Sequence, residues 1–231
     1  MLKCGSLPAK ADTHKQRDFY EKVLQPLMTQ AKNGAIELLF VDASHFVMGC
    51  DYLASIYGFV RRFIRTGSGR KRYNVLGALN FISKKLTAIT NDSYITSLQV
   101  CELLENLAVE YASKSVFIIL DNASYQKCNL VKNLAVGLGI NLIFIPPYSP
   151  NLNLIERFWK FAKSRLRTKY YTDFSEFTDK IDTITASGSE ECKAAVDKLI
   201  TEKVQLFDAA TDGKDKIIPT AHVQKFIGLA A

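Results

Sequence analysis

Short apolar runs that stop at an acid or a proline set the framework of this chain. Residues 35–41 (AIELLFV) have the pattern of a buried strand that stops at Asp42. Residues 74–81 and 86–90 predict two more strands joined by a polar turn at Ser83 and Lys84. Residues 115–120 (SVFIIL) predict a fourth, ending at Asp121, and residues 141–145 (NLIFI) a fifth, stopped by Pro146 and Pro147. Helical spacing fills the intervals. Residues 10–32 read as a mostly polar helical lead-in, kinked or ended near Pro26 and closed by Asn33 and Gly34. Thr96 opens a helix with Gln99 three residues on, the spacing of a capping box. Leu98, Cys101, Leu104, Leu107, Ala108 and Tyr111 give that helix an apolar stripe. Leu130, Val131, Leu134, Ala135 and Leu138 do the same for the next, which ends at Gly137 or Gly139. Ser149 and Pro150 have the chemistry of an N-cap followed by a proline at the first helical position. The helix they open turns Ile155, Phe158, Trp159, Ala162 and Leu166 inward and holds Glu156 in its second turn. Beyond Thr172 the pattern weakens, with residues 193–207 helical in character.

Early strands joined by tight turns predict antiparallel pairing, and later strands separated by helices predict parallel crossovers. The fold class is therefore α/β, a mixed sheet flanked by helices. Three segments follow: a helical lead-in over 1–34, a central domain over 35–170 and a helical extension over 171–231.

Composition adds little to this frame. The 231 residues are 48% hydrophobic and 23% charged, ordinary for a globular enzyme, and the net charge of +7 permits a polyanionic partner without requiring one. Cys4, Cys50, Cys101, Cys128 and Cys192 are scattered, form no CxxC pair, and have no zinc-ligand spacing with His14, His45 or His222. A reduced, cytoplasmic protein is expected, with no membrane-spanning run and no signal segment.

The chemistry lies in the acids. Asp42 and Asp121 each close an apolar strand, and ligands of open α/β sheets gather at the carboxyl ends of strands. Glu156 borders the buried stripe of its helix, where a side chain can reach over the sheet edge. Taken singly, each has a plainer reading: a strand-closing Asp forms turns, and a helix Glu pairs with Lys160 four residues on. Taken together, three acids from three elements make an all-oxygen site suited to magnesium or manganese, and the chemistry that uses such a site is phosphoryl transfer. No P-loop, dinucleotide fingerprint or Ser-His-Asp arrangement competes.

The stretches FVDASHF, VLGAL, ILDNASYQK and FIPPYSPNLNLIERFWKFAKSRL, spread over residues 39–166, closely resemble the DDE domain of bacterial insertion-sequence transposases related to the mariner superfamily. The most specific part is the PPYSPxLNxIExxW block, preceded by an LDNA strand end with 34 residues between Asp121 and Glu156. The resemblance implies a ribonuclease H-like fold. It makes Asp42, Asp121 and Glu156 the catalytic and metal-binding triad, with two magnesium or manganese ions as cofactor. It also implies DNA cleavage at element ends, strand transfer into target DNA at TA dinucleotides, and a cytoplasmic, nucleoid-associated bacterial protein. Two departures stand out: many relatives have Asp-Leu-Asn-Pro where this chain has Asn151-Leu152-Asn153-Leu154, and a histidine near the place of Gln126.

Beside such a site, basic residues gain meaning. Arg61, Arg62, Arg65, Arg70, Lys71 and Arg72 crowd the segment before the second strand, and Arg157, Lys160, Lys163, Arg165, Arg167 and Lys169 follow Glu156. Contacts to the DNA backbone are expected from both groups, as an alternative to simple solvated faces. Asn122 and Ser124 either support a metal ligand from behind or cap the next helix. Trp159 has the spacing of a packing residue, and His45 reads as structural. Double-stranded DNA is the expected partner, with pairing into a homodimer. Fewer than forty residues precede the first strand, too few for two helix-turn-helix units, so the chain reads as a catalytic half, either truncated or complemented by a separate N-terminal helix-turn-helix segment that reads the element ends. Two other readings stay open: a structure-selective nuclease of the same fold, and a non-catalytic DNA-binding remnant of a decayed element.

Overall fold

The continuous apolar run before Asp42 is explained by burial on both faces. In the computed structural model, which describes residues 10–48, 71–167, 171–186, 196–201 and 203–206, this run enters the central strand β1 (Glu37–Val47). Successive side chains point to opposite faces of a strand. Leu38 and Phe40 accordingly join one core cluster, and Leu39 and Val41 another on the far side. Strand β1 pairs antiparallel with β2 (Arg72–Asn80) over 39–47, but parallel with β4 (Val116–Leu120) only over 37–40. With β3 (Leu86–Asn91) and β5 (Ile140–Phe144) the five strands run in the order β3-β2-β1-β4-β5.

The expectation that the first strand stops at Asp42 is corrected by this pairing. The strand runs on to Val47 because β2 continues to pair with it; only the parallel partnership ends, after Phe40. Asp42 thus sits mid-strand, where β1 and β4 part.

The lead-in is helical as expected; Pro26 does not end it, and the helix is irregular just before the proline. Helix α1 (Thr13–Phe19) passes through a π-helical turn (Tyr20–Leu24) into α2 (Gln25–Lys32), with Pro26 in the first turn of α2. A proline ring clashes with the carbonyl four residues back, and the wider turn relieves that clash. Gly34, at φ 73°, reverses the chain into β1. Leu24, Leu27, Met28 and Ala31 join the same core as β1, so the lead-in packs as part of the central unit.

Helix α3 (Ser97–Glu110) has the expected Thr96/Gln99 capping box. Its buried face is Val100, Leu103, Leu104 and Leu107, rotated from the expected stripe, with Leu98 65% exposed. After β4, the short α4 (Ser124–Lys127) leads into α5 (Asn129–Gly137), which buries Val131 and Ala135 and leaves Leu130 exposed. Helix α6 (Ile155–Leu166) buries all five residues expected to turn inward. The weak pattern after Thr172 hides α7 (Phe174–Thr185), capped by Asp173 and seated through Phe177, Ile181 and Ile184. Of the helix expected over 193–207, residues 196–199 form a single turn and 203–206 are irregular; 193–195, 202 and 207 lie outside the described residues.

Candidate active site

The register of β1 against β4 decides where the acids meet. Phe40 pairs with Ile119, so continuing two residues along both strands brings Asp42 level with Asp121, one residue past the end of β4. Asp42 shares the parity of Leu38 and Phe40 and so faces the side of the sheet covered by α6. Asp121 accepts the Ala123 N–H at 3.0 Å, a local turn that ends the strand and starts α4.

Glu156 arrives differently from expectation. Pro150–Leu152 forms a 3-10 turn, and the α-helix begins at Ile155 without a side-chain cap. Ser149 does not cap it; its hydroxyl donates to the Pro147 carbonyl at 3.2 Å. The delay comes from Asn153, whose buried amide donates to Val41 O at 3.0 Å and fastens the start of α6 to β1 beside Asp42. Glu156 therefore lies in the first helical turn, at the positive end of the helix dipole.

Asp42, Asp121 and Glu156 line one cleft of about 370 Å³, together with Asn122, Asn153 and the segment from Ile145 to Pro150. Burial, then the negative charges of Glu156 and Asp121, push the Asp42 carboxyl up to about 7 against the pull of the Ala43 and Trp159 N–H groups. Glu156 is raised too, by burial first, with Lys163 and Lys160 pulling the other way. The half-buried Tyr125 phenol is pushed up to about 12, by burial and then by Asp121 and Asp42.

These acids fit a divalent cation. Among the described residues no three acid, imidazole or thiol groups stand close enough to enclose an ion. The donors are all oxygen, burial and the neighbouring acids raise the Asp42 carboxyl, and the buried Asn153 Oδ1 in the same cleft has no hydrogen-bond partner.

The flanking residues divide. Asn122 lines the cleft and donates to Ile145 O, tying the ends of β4 and β5 together. Ser124 is exposed, lies outside the cleft lining and supplies no cap to α4. Lys160 is exposed and Lys163 half-buried over the Phe46 ring, and both act on Glu156; Arg167 is exposed at the end of α6. Lys71 and Arg72 are placed away from the cleft: Lys71 lies over Phe174, and Arg72 donates to Ser93 O at 2.9 Å and covers Tyr94. Arg72 pairs with Val47, five residues past Asp42 and so about 17 Å along the strand. Arg61, Arg62, Arg65, Arg70 and Lys169 lie outside the described residues. His45 is structural, its Nδ1 2.7 Å from Asn74 Oδ1, and Gln126 is fully buried.

Arg157, expected to face DNA, instead holds the chain's own C-terminal segment. Its guanidinium donates to Leu199 O and Thr201 O, each at 3.2 Å, and to Lys203 O. Arg157→Ala should lower stability by about 1 kcal/mol by removing these solvent-exposed hydrogen bonds, read as an earlier urea midpoint with an unchanged slope.

Three features of the site have no clear signal in the sequence. Asn153 bridges to β1, Trp159 binds Asp42, and Tyr148, 52% exposed on the cleft wall, holds φ 58°, a strained value for an aromatic residue. Prolines at 146, 147 and 150 are the one sequence signal for the unusual backbone there.

The mixed sheet order and its flanking helices are those of the ribonuclease H-like fold, and residues 37–178 match the family model of the DDE superfamily endonucleases. The chain belongs to that superfamily. Its fold is similar to that of Mos1 mariner transposase. The paired-end complex with the left transposon end matches with a TM-score of 0.64 at 13% identity, over 87% of this chain and 63% of that one. The paired-end complex with Mn matches at 0.61 and 12% identity, over 87% and 64%. The Mos1 catalytic domain alone matches at 0.54 and 13% identity, over 84% and 93%. The chain thus spans just under two-thirds of the Mos1 chains in these two complexes. No curated protein matches it. Among the described residues no helix is long and apolar enough to cross a membrane.

Proposed function

We propose that this chain is the catalytic part of a transposase, cutting DNA at element ends and joining the freed 3′-hydroxyl to target DNA, with Asp42, Asp121 and Glu156 as its catalytic acids. The observation that carries the reading is the meeting of these acids, from three separate elements, in one cleft where they repel one another. Their oxygens would hold two magnesium or manganese ions, and Mos1, similar in fold, has been solved in a paired-end complex with Mn. When bound, such ions activate the attacking oxygen and offset the charge on the phosphate and the leaving oxygen. The chain's own residues do the positioning. Asn153 fixes the start of α6 against β1, Asn122 ties the strand ends behind Asp121, and Lys160, Lys163 and Arg167 give α6 a basic face for the DNA backbone. Ser124, exposed beside Asp121, is left as a polar neighbour of the incoming backbone.

The deciding assay is a duplex carrying the element end, incubated with magnesium or manganese and a target duplex. Cleavage plus joining at TA sites is the expected result. Hydrolysis without joining would identify a structure-selective nuclease, and metal-independent binding without cleavage a non-catalytic remnant. Two further parts of the proposal, a working pair of chains and end recognition by a separate helix-turn-helix segment, predict that cleavage becomes end-specific only when that segment is added. Removing both lysines (Lys160→Ala with Lys163→Ala) should weaken binding to all duplexes alike and make the plot of log affinity against log salt shallower by about two.

A further inference from the structure

Trp159 is the only tryptophan in the chain and is 2% exposed. Its ring meets Phe158 and Phe46 edge-on, with centroids 5.4 Å and 6.2 Å away, as a core residue would. Its one polar atom goes elsewhere. Nε1–H donates to Asp42 Oδ2 at 3.1 Å, from a helix 117 residues along the chain.

Strand β2 leaves room for this. Gly77 lies directly opposite Asp42 in the β1–β2 register. A Cβ on Gly77 would stand 2.9 Å from Trp159 Cη2 and 3.0 Å from Leu86 Cδ1, closer than packed carbon atoms approach. The glycine is thus a space kept for the indole, at the rung of the ladder where the acid sits.

We infer that Trp159, seated in the space left by Gly77, is a positioning residue for Asp42. The N–H holds one carboxylate oxygen and leaves the other to the cleft. A hydrogen bond to a charged acceptor is about twice as strong as a neutral one, and it fixes a side chain that two neighbouring acids push away. Because Trp159 sits one turn beyond Glu156 on the same helix, a single rigid element sets both acids.

The inference rests on the proposed role of Asp42 in holding a divalent cation, and the experiment separates the two. Mn²⁺ binding to the whole chain is measured by calorimetry for the wild type, Trp159→Phe, Gly77→Ala and Phe158→Leu. Loss of a group that supports a metal ligand from behind typically weakens metal affinity about 10–100-fold. Trp159→Phe, which keeps a ring but loses the donor, and Gly77→Ala, which displaces the indole, should both fall in that range. Phe158→Leu, which loses only packing, should lower thermal stability and leave Mn²⁺ affinity unchanged. In the wild type Mn²⁺ should quench the emission of the sole tryptophan, saturating at the calorimetric Kd. Wild-type affinity in Trp159→Phe overturns the inference and leaves the metal site standing; no Mn²⁺ binding by the wild type overturns both. If neither Trp159→Phe nor Gly77→Ala folds, the quenching decides: saturable quenching supports the inference, and unquenched emission while Mn²⁺ binds overturns it.

Discussion

Asp42→Asn, Asp121→Asn and Glu156→Gln should each reduce cleavage and joining by at least about a thousandfold, or ~4 kcal/mol of barrier. Each replacement keeps the shape of the side chain and removes its charge, and a neutral amide is a poor partner for a hard dication. The three should be equivalent in direction because they share one cleft, although they come from mid-strand, a strand end and the first turn of a helix. DNA affinity should survive, since the basic face of α6 is built from residues other than the acids. The measurement pairs single-turnover cleavage of an end duplex with a binding isotherm at fixed salt. A variant that cleaves within tenfold of the wild type would remove its residue from the triad, and one that loses binding in parallel would place the acid in recognition instead of chemistry.

The parts of this site that depend on local pattern were legible in the sequence, and those that depend on pairing were not. Asp121 is a clear case: a fully apolar run of strand length ends on the acid, and the strand ends there. Asp42 looks the same in sequence, yet its strand continues, because residues 43–47 keep pairing with β2 and bury Ser44 and Phe46 while β4 has already departed. No one-dimensional pattern distinguishes a strand that stops from one that loses a single neighbour. Ser149 and Pro150 carry genuine helix-start chemistry, but the chain spends it on a 3-10 turn because Asn153 is committed to Val41. Arg157 sits in a basic run and reads as solvated, and only the returning segment at 199–203 reveals its partners. Helix α7 has a local signal, Asp173 with Glu176 three residues on and then Phe177, Ile181 and Ile184, but polar residues separate these apolar positions and the pattern there is weak. The proposal of Asp42, Asp121 and Glu156 as a triad rests on the motif block, whose spacing between Asp121 and Glu156 no periodicity argument supplies.

The metal-free protein should lose stability as pH rises, and the loss should trace to Asp42. Its folded value of about 7 lies above the ordinary 3.8 that applies in the unfolded chain. Between those values the folded state holds a proton that the unfolded state has released, so raising the pH favours unfolding. The effect is absent below about pH 4, grows through the window, and levels off above about pH 7, where both states are ionised. A displacement of this size corresponds to a loss on the order of 4 kcal/mol. Glu156 is also raised and adds a contribution of the same sign. Asp42→Asn removes the main source, so this inactive variant should be the more stable protein at pH 8 without metal, a trade of stability against activity. Urea unfolding in the presence of a chelator at pH 5 and pH 8, for wild type and Asp42→Asn, gives the comparison, with the difference between the two proteins cancelling the titration of unrelated carboxylates. Magnesium at a hundred times its dissociation constant should restore about 2.7 kcal/mol to the wild type at pH 8 and much less to the variant. Parallel pH profiles for the two proteins would show that Asp42 ionises without strain in the folded state, and that the cleft tolerates its charge with no cation to answer it.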